Sequence, residues 1–432
     1  GGVGGPRSGV ESGGDEHRRR TAPPEVEPMP IKFALRNIFR QKVRAGMTLA
    51  AIVFGVAALV LSGGFVQDIF VQLGEAVIHS QTGHIQVFRK DFIERGTRQP
   101  GNFLIDDPAA LAREIEAVPQ VADVAARLNF SGLLNNGRRD LAIIGEGVEP
   151  DKEARLGTFV AITAGRQLTD NDAFGMIVGQ GVAHALNVKP GDQVTLLIGT
   201  AEGALNTLDF QIVGVFQSFS KDFDARAVRI PLAAAQELML TQGANVLVVT
   251  LHRTEDTDRA LAAIRSRIDP ATLDARDWRQ LSDFYDKTLQ LYDRQFGVLQ
   301  FIILCMVLLS VTNSVNISAF ERLAEFGTLQ ALGNRRRDVF VLIVIENLLL
   351  GAIGAALGVI VGVMLALAIS AIGIPMPPPP NANVGYTAYI RIVPLTLLSA
   401  FLIGFVATAL AAVFPARRVS GTSIVDALRQ GT

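Results

Sequence analysis

Cysteine is almost absent: Cys305 is the only one in 432 residues. A single cysteine forms no intrachain disulfide, so any folded part must stand on its own core. Several chemical signatures are missing as well. There is no G-x-x-x-x-G-K-[ST] stretch to cradle nucleotide phosphates, no C-x-x-C, no H-E-x-x-H and no G-x-S-x-G nucleophile turn. His79 and His84 have no third ligand nearby, so a zinc site lacks both ligand count and spacing. Asp106 and Asp107 precede Pro108 and read as a helix cap. No catalytic constellation, metal site or cofactor is therefore expected on this chain. Charge is scarce, at 19% of residues, and the net charge of −1 removes any global pull toward nucleic acid.

Long apolar runs are what the sequence has instead, with a mean hydropathy of +0.33. Ala45–Gln67, Gln295–Phe320, Asn347–Ile374 and Ile392–Ala416 contain no charged residue. A bilayer core is crossed by about 20 apolar helical residues. Four transmembrane helices are expected, at 45–67, 295–320, 339–374 and 392–414. Basic residues sort to one side of them. Lys32, Arg36, Arg40, Lys42 and Arg44 precede the first span, Arg322 and Arg335 to Arg337 lie between the second and third, and Arg417 and Arg418 follow the fourth. The opposite flanks hold only Lys287, Arg294 and Arg391 near the spans. Positive charge stays in the cytoplasm, which puts both termini and the 321–338 segment there and residues 68–294 outside.

Residues 1–28 are rich in Gly, Pro and charge, a composition that predicts a disordered extension, with Met29 an alternative start. Residues 29–44 predict a cytoplasmic amphipathic helix, or equally the first turns of span one. The 68–294 stretch alternates strand and helix signals, an α+β pattern. Strands are expected at 84–89, 140–148 and 245–251, and helices at 108–118, 231–240 and 254–267. "DFQIVGVF" and "ARAVRI" read as a hairpin pair. Two subdomains are expected: a β-rich one over about 140–230, inserted into a βαβ-type one over about 84–139 and 231–270. "LSDFYDKTLQLYDRQFGVLQ" then runs helically into span two. The 375–391 loop carries four consecutive prolines, a polyproline element. A cytoplasmic helix closes the chain over 415–432.

One charged segment, "SAFERLAEFGTLQALGNRRRDVF", separates spans two and three. Leu323, Phe326, Leu329 and Leu332 recur every three residues as an apolar ridge, with Glu321, Arg322 and Glu325 around it. Gly333 sits where a helix ends. Composition alone leaves two readings open: a helix that docks in a partner's groove, or an inter-span loop obeying the charge rule. In span three, Gly354, Gly358 and Gly362 form a small-xxx-small ladder that packs either within the chain, on span two or four, or against a second copy. Glu346 lies near the inner end of that span, where it can reach Arg335–Arg337 or lipid headgroups.

The same segment resembles the cytoplasmic signature of the MacB/FtsX-like ABC permeases, E-R-x-x-E-[IF]-G-x-L-[RQ]-A-L-G with a later Glu. Glu321, Arg322, Glu325, Phe326, Gly327, Leu329, Ala331, Leu332, Gly333 and Glu346 match it. "PARRVSGTSIVDALR" resembles the family's C-terminal ending, with Ile424 where many members have proline. One helix, a large MacB-like periplasmic domain and three further helices is the family plan, and the lipoprotein-releasing LolC/LolE type is the nearest class. The resemblance implies that Glu321 to Gly333, Leu323 and Leu329 included, form a coupling helix gripped by a separate ATPase dimer. ATP and Mg would then reside on that partner. It implies a permease subunit of the bacterial inner membrane, working by mechanotransmission with a second permease copy or paralogue. Lipoprotein or another hydrophobic envelope substrate would be released or exported, with a periplasmic lipoprotein carrier and membrane lipid as further partners and no nucleic acid. The alternative is a non-transporting FtsX-like regulator that relays ATPase strokes to a periplasmic partner such as a cell-wall hydrolase.

Overall fold

The computed structural model describes residues 42–96, 100–200, 203–378, 385–424 and 427. The expected disordered extension, the amphipathic helix up to residue 41, two of the four prolines and most of the stretch after residue 424 lie outside the described residues.

Among the described residues, four helices are long and apolar enough to cross a membrane: Ala45–Thr82, Tyr285–Glu321, Arg336–Ile372 and Pro394–Ser420. The first comprises α1, Lys42–Val77, and a π-helical turn, Ile78–Thr82. It outruns the 45–67 expected, because the charge-free run ends at Asp68 while nothing breaks the helix before Gly83, whose φ is +65°. Between the first and second apolar helices lies an inserted α+β domain. The chain divides into two compact units, Ile52–Val307 with Ala355–Gly404, and the remainder.

Among the described residues, the inserted domain has its two largest cores around one shared strand. Its elements are β1 (Ile85–Arg89), α2 (Pro108–Glu116), β2 (Val121–Asn135), β3 (Asp140–Val148), α3 (Pro150–Leu156), β4 (Ala161–Gly165), β5 (Gly175–Gly179), α4 (Gln180–Leu186), β6 (Gln193–Gly199), β7 (Leu205–Gln217), β8 (Ala227–Pro231), α5 (Leu232–Met239), β9 (Val246–Leu251), α6 (Thr257–Arg265), β10 (Leu273–Asp277) and α7 (Trp278–Leu281). Strands β10-β1-β9-β2 make an antiparallel sheet in which the β1–α2–β2 and β9–α6–β10 units interleave, a split βαβ arrangement. Ile115 of α2 and Ile264 of α6 pack on Ile85, Val87, Val124 and Val249. Asp107 caps α2 by accepting from the Ala110 N–H at 2.9 Å.

Strand β2 is 15 residues long and passes on into the second core. There β2, β3, β8, β5, β7 and β6 close a ring, because β6 pairs with both β7 and β2. Leu128, Phe130, Met176, Leu196, Phe210 and Val228 fill it. Closure removes free edges around that core. The β-rich subdomain therefore takes in the second half of β2 and does not begin at residue 140. The expected hairpin is also corrected: β7 and β8 do not pair, and β5 lies between them, parallel to β7 and antiparallel to β8.

The domain leaves through α7 and a break at Ser282 (φ −113°, ψ 88°) into α8, Asp283–Glu321. After it come α9 (Leu323–Ala331), α10 (Arg336–Ile372), the hairpin β11 (Ile374–Met376) and β12 (Tyr386–Ala388), and α11 (Pro394–Ser420). That hairpin is fastened to α1. The buried Asp68 carboxylate accepts from Gln72 Nε2 at 2.6 Å, Tyr389 N at 2.8 Å and Arg391 Nε at 2.9 Å.

Candidate functional site

The helix α9 carries the charged motif, and its ridge faces inward. Leu323 and Phe326 are 4% and 2% exposed, packed with Ala319, Val339, Ile343, Ala416 and Val419. Ala427 joins the same cluster from the end of the chain. Leu329 is partly buried against it, whereas Leu332 is 79% exposed. Helix geometry explains the split. At 3.6 residues per turn, a three-residue step falls short by about 60°, so Leu323 and Leu332 end up about 180° apart. The expectation that Leu323, Phe326 and Leu329 enter a partner's groove is corrected: they hold α9 to its own chain. The outward side presents Glu321, Glu325, Thr328 and Leu332.

Arg322 ties the motif together. Its guanidinium pairs with Glu346 Oε2 at 2.7 Å and Glu325 Oε2 at 3.1 Å, and lies 5.1 Å from the Phe326 ring centre. Glu346 is 7% exposed and reaches Arg322, not Arg335–Arg337. A buried carboxylate in an apolar setting needs such a partner; Arg322 gives Glu346 one donor, Nη1, and turns Nε to Glu325. Gly333, at φ +102°, closes α9: Asn334 N–H donates to Leu329 O at 3.1 Å and Gly333 N–H to Gln330 O at 3.1 Å. That is the Schellman pattern, which demands a left-handed residue at this position.

Two members of the glycine ladder, Gly358 and Gly362, pack within the chain, and on α1. A Cβ built on Gly358 would lie 2.7 Å from Val56 Cβ and 3.1 Å from the Val53 carbonyl oxygen. One on Gly362 would lie 2.9 Å from Val60 Cβ. The partner of these two glycines is thus the first apolar helix, while Gly351, just before the ladder, meets Thr408 of α11. Gly354 is buried in the same helix.

At the far end of α1, two polar assemblies join the helix to the inserted domain. In the first, Leu251 N–H donates to His84 Nδ1 at 3.2 Å. The His84 ring donates from Nε2 to Thr254 Oγ1 at 3.1 Å, and Thr254 donates to Glu75 Oε1 at 2.8 Å. This chain requires a neutral His84, and burial, then the nearby His79, push its pKa down to about 4. Because the folded pKa lies below the unfolded one, stability is complete above about pH 6.5 and falls as pH drops toward 4. His84→Gln keeps a donor and an acceptor without titrating. Its thermal unfolding midpoint should change less between pH 7 and pH 5 than that of the wild type; an equal change would remove His84 as the cause.

The second assembly is a buried quartet. Arg127 of β2 holds Glu153 of α3 with Nε at 3.0 Å and Nη2 at 2.6 Å. Arg229 of β8 holds Glu146 of β3 at 2.7 Å and reaches Glu153 at 3.2 Å. Burial alone would raise the Glu153 carboxyl, but the two guanidinium groups hold it below the usual carboxylate range. Both arginines also donate to the end of the first apolar helix, Arg127 to Gln81 O and Arg229 to Ser80 O, the latter at 3.1 Å.

Residues 45–267 match the MacB-like periplasmic core domain, and residues 297–424 match the FtsX-like permease C-terminal. The chain belongs to the ABC permeases of the MacB/LolC/FtsX type. An uncharacterised ABC transporter permease of Methanocaldococcus jannaschii is 24% identical, over 92% of this permease and 97% of its own length. The lipoprotein-releasing transmembrane protein LolC of Neisseria meningitidis is 23% identical, over 89% and 93%. A macrolide export ATP-binding/permease protein MacB of Campylobacter jejuni is 25% identical over 92% of this permease, which spans only 61% of that relative.

Sequence reasoning missed the quartet. The available signal was a lone charge inside each of three apolar strands: Arg127 in "VAARLNF", Glu146 in "AIIGEGV" and Arg229 in "AVRIP". A charge at a strand position buried on both faces requires a buried partner of opposite sign.

Proposed function

We propose that the permease works with a separate ABC ATPase, whose strokes it carries to the inserted domain. α9 is the coupling helix, and its partner face is Glu321, Glu325, Thr328 and Leu332. The carrying observation is the build of α9: anchored inward by Leu323, Phe326 and the Arg322–Glu346 pair, with a large apolar side chain left outside at Leu332. Central apolar anchors dominate interfaces of this kind. The basic-residue asymmetry supports a cytoplasmic α9 and a periplasmic inserted domain in a bacterial inner membrane. The working unit holds two permease chains, identical or paralogous, and two ATPase chains that bind ATP and Mg. The likeness to LolC supports lipoprotein or another hydrophobic envelope substrate, handed on at the periplasmic side. Gentle purification from native membranes should recover an ABC ATPase in equal numbers with the permease-type chains. Recovery of permease with no ATPase, under conditions that keep other ABC complexes whole, would refute the reading.

A further inference from the structure

Helix ends leave their last carbonyls without intrahelical donors and carry partial negative charge. The first apolar helix ends inside the inserted domain, and two arginines meet it there. Arg127 and Arg229 are 2% and 1% exposed, and among the described residues they are the largest fully buried side chains. Each is held from behind, Arg127 by Glu153 and Arg229 by Glu146. Arg229 also lies 5.4 Å from the Phe216 ring centre and 5.9 Å from that of Phe223. Elements β2, β3, α3 and β8 therefore converge on Ser80 and Gln81. Two further contacts grip the same helix one or two turns earlier. Thr254 donates to Glu75, and a Cβ on Gly74 would lie 2.7 Å from Trp278 Cη2.

Charge balance within the quartet is two against two. Stability alone is a poor reason for it, since buried ion pairs are often replaced by apolar residues at little cost. What apolar side chains cannot supply is donors for two helix-terminal carbonyls. We infer that Arg127 and Arg229 weld the first apolar helix to the inserted domain, so that helix and domain move as one lever. They are positioning residues, and the purpose of the weld rests on the proposed ATP-driven stroke. The other connection is built differently: α7 and α8 meet at the break at Ser282.

The test uses the full-length permease in detergent, with Cys305→Ser and spin labels at Val71→Cys on α1 and Arg138→Cys on the β2–β3 turn. The distance distribution should be narrow. In Arg127→Met/Glu146→Leu/Glu153→Leu/Arg229→Met, which removes all four charges at similar volume, it should become roughly twice as broad. Hydrogen exchange across residues 78–84 should rise about tenfold while the rest of the domain stays protected. Arg127→Lys is the second variant. A compact ammonium keeps the charge but cannot hold Glu153 in a bidentate grip and reach Gln81 O as well, so a smaller broadening is expected. Unchanged width in both variants overturns the inference. If the fourfold variant fails to fold, Arg127→Lys decides alone, and an unchanged width again overturns it. Neither nucleotide nor ATPase enters the measurement, so a failure of the motor reading leaves this result untouched. With an ATPase bound, the fourfold variant should hydrolyse ATP at the wild-type rate while the Arg138 label no longer responds to nucleotide.

Discussion

Leu332→Glu is expected to release the ATPase while the permease stays folded at its usual membrane level. The side chain is 79% exposed at the end of α9, so its loss from the free permease should change stability by less than about 0.5 kcal/mol. At an interface anchor, burying a charge instead should cost about 2 kcal/mol or more, a weakening of roughly thirtyfold. Phe326→Ala should do the reverse. Phe326 is 2% exposed and fills a cluster of its own chain, and truncating a buried Phe costs about 3 kcal/mol of packing. α9 should then loosen, with faster proteolysis near residue 330, and the ATPase should be lost only as a consequence. Pull-down at matched permease levels, paired with limited proteolysis, separates the two. Wild-type ATPase recovery with Leu332→Glu would move the partner face away from α9.

Gly358→Leu should reduce folded permease to below about one tenth of wild type. The first added carbon already meets Val56 Cβ at 2.7 Å and the Val53 carbonyl oxygen at 3.1 Å, and a backbone oxygen cannot rotate aside. Small residues let helices approach in lipid, where packing replaces the hydrophobic drive. α10 would have to separate from α1 along two turns, taking Gly362 off Val60. A substitution at Ile360, 55% exposed on the same helix, should be tolerated. Size-exclusion profiles of detergent-extracted protein would check both. A monodisperse Gly358→Leu peak at wild-type yield would show that the approach is not required.

The sequence disclosed some of this architecture plainly and hid the rest for physical reasons. Apolar runs beyond 20 residues leave few alternatives to a membrane span, so the four helices were legible. The orientation of α9 was not. A three-residue repeat on a 3.6-residue helix is not a face but a spiral, and only packing shows that Phe326 points in and Leu332 out. Barrel closure depends on β6 meeting β2 across about sixty residues of chain, which no local pattern encodes. The parallel pairings of β3 with β8 and β5 with β7 are equally non-local, and a hairpin was the natural misreading of two neighbouring apolar runs. Glu346 shows the same limit, since its partner Arg322 lies 24 positions away while three nearer arginines offer a simpler guess.

The cluster beneath α9 has a consequence for the order of synthesis. Leu323 and Phe326 leave the ribosome well before Ala416, Val419 and Ala427, which complete their packing. A nascent chain that has already threaded three of its apolar helices has Ala319, Val339 and Ile343 against α9 but still lacks the part of its packing surface that α11 supplies. Only after the last apolar helix is in place can that surface settle. A chain stalled or cut before residue 416 would therefore carry the whole charged motif and yet hold α9 more loosely.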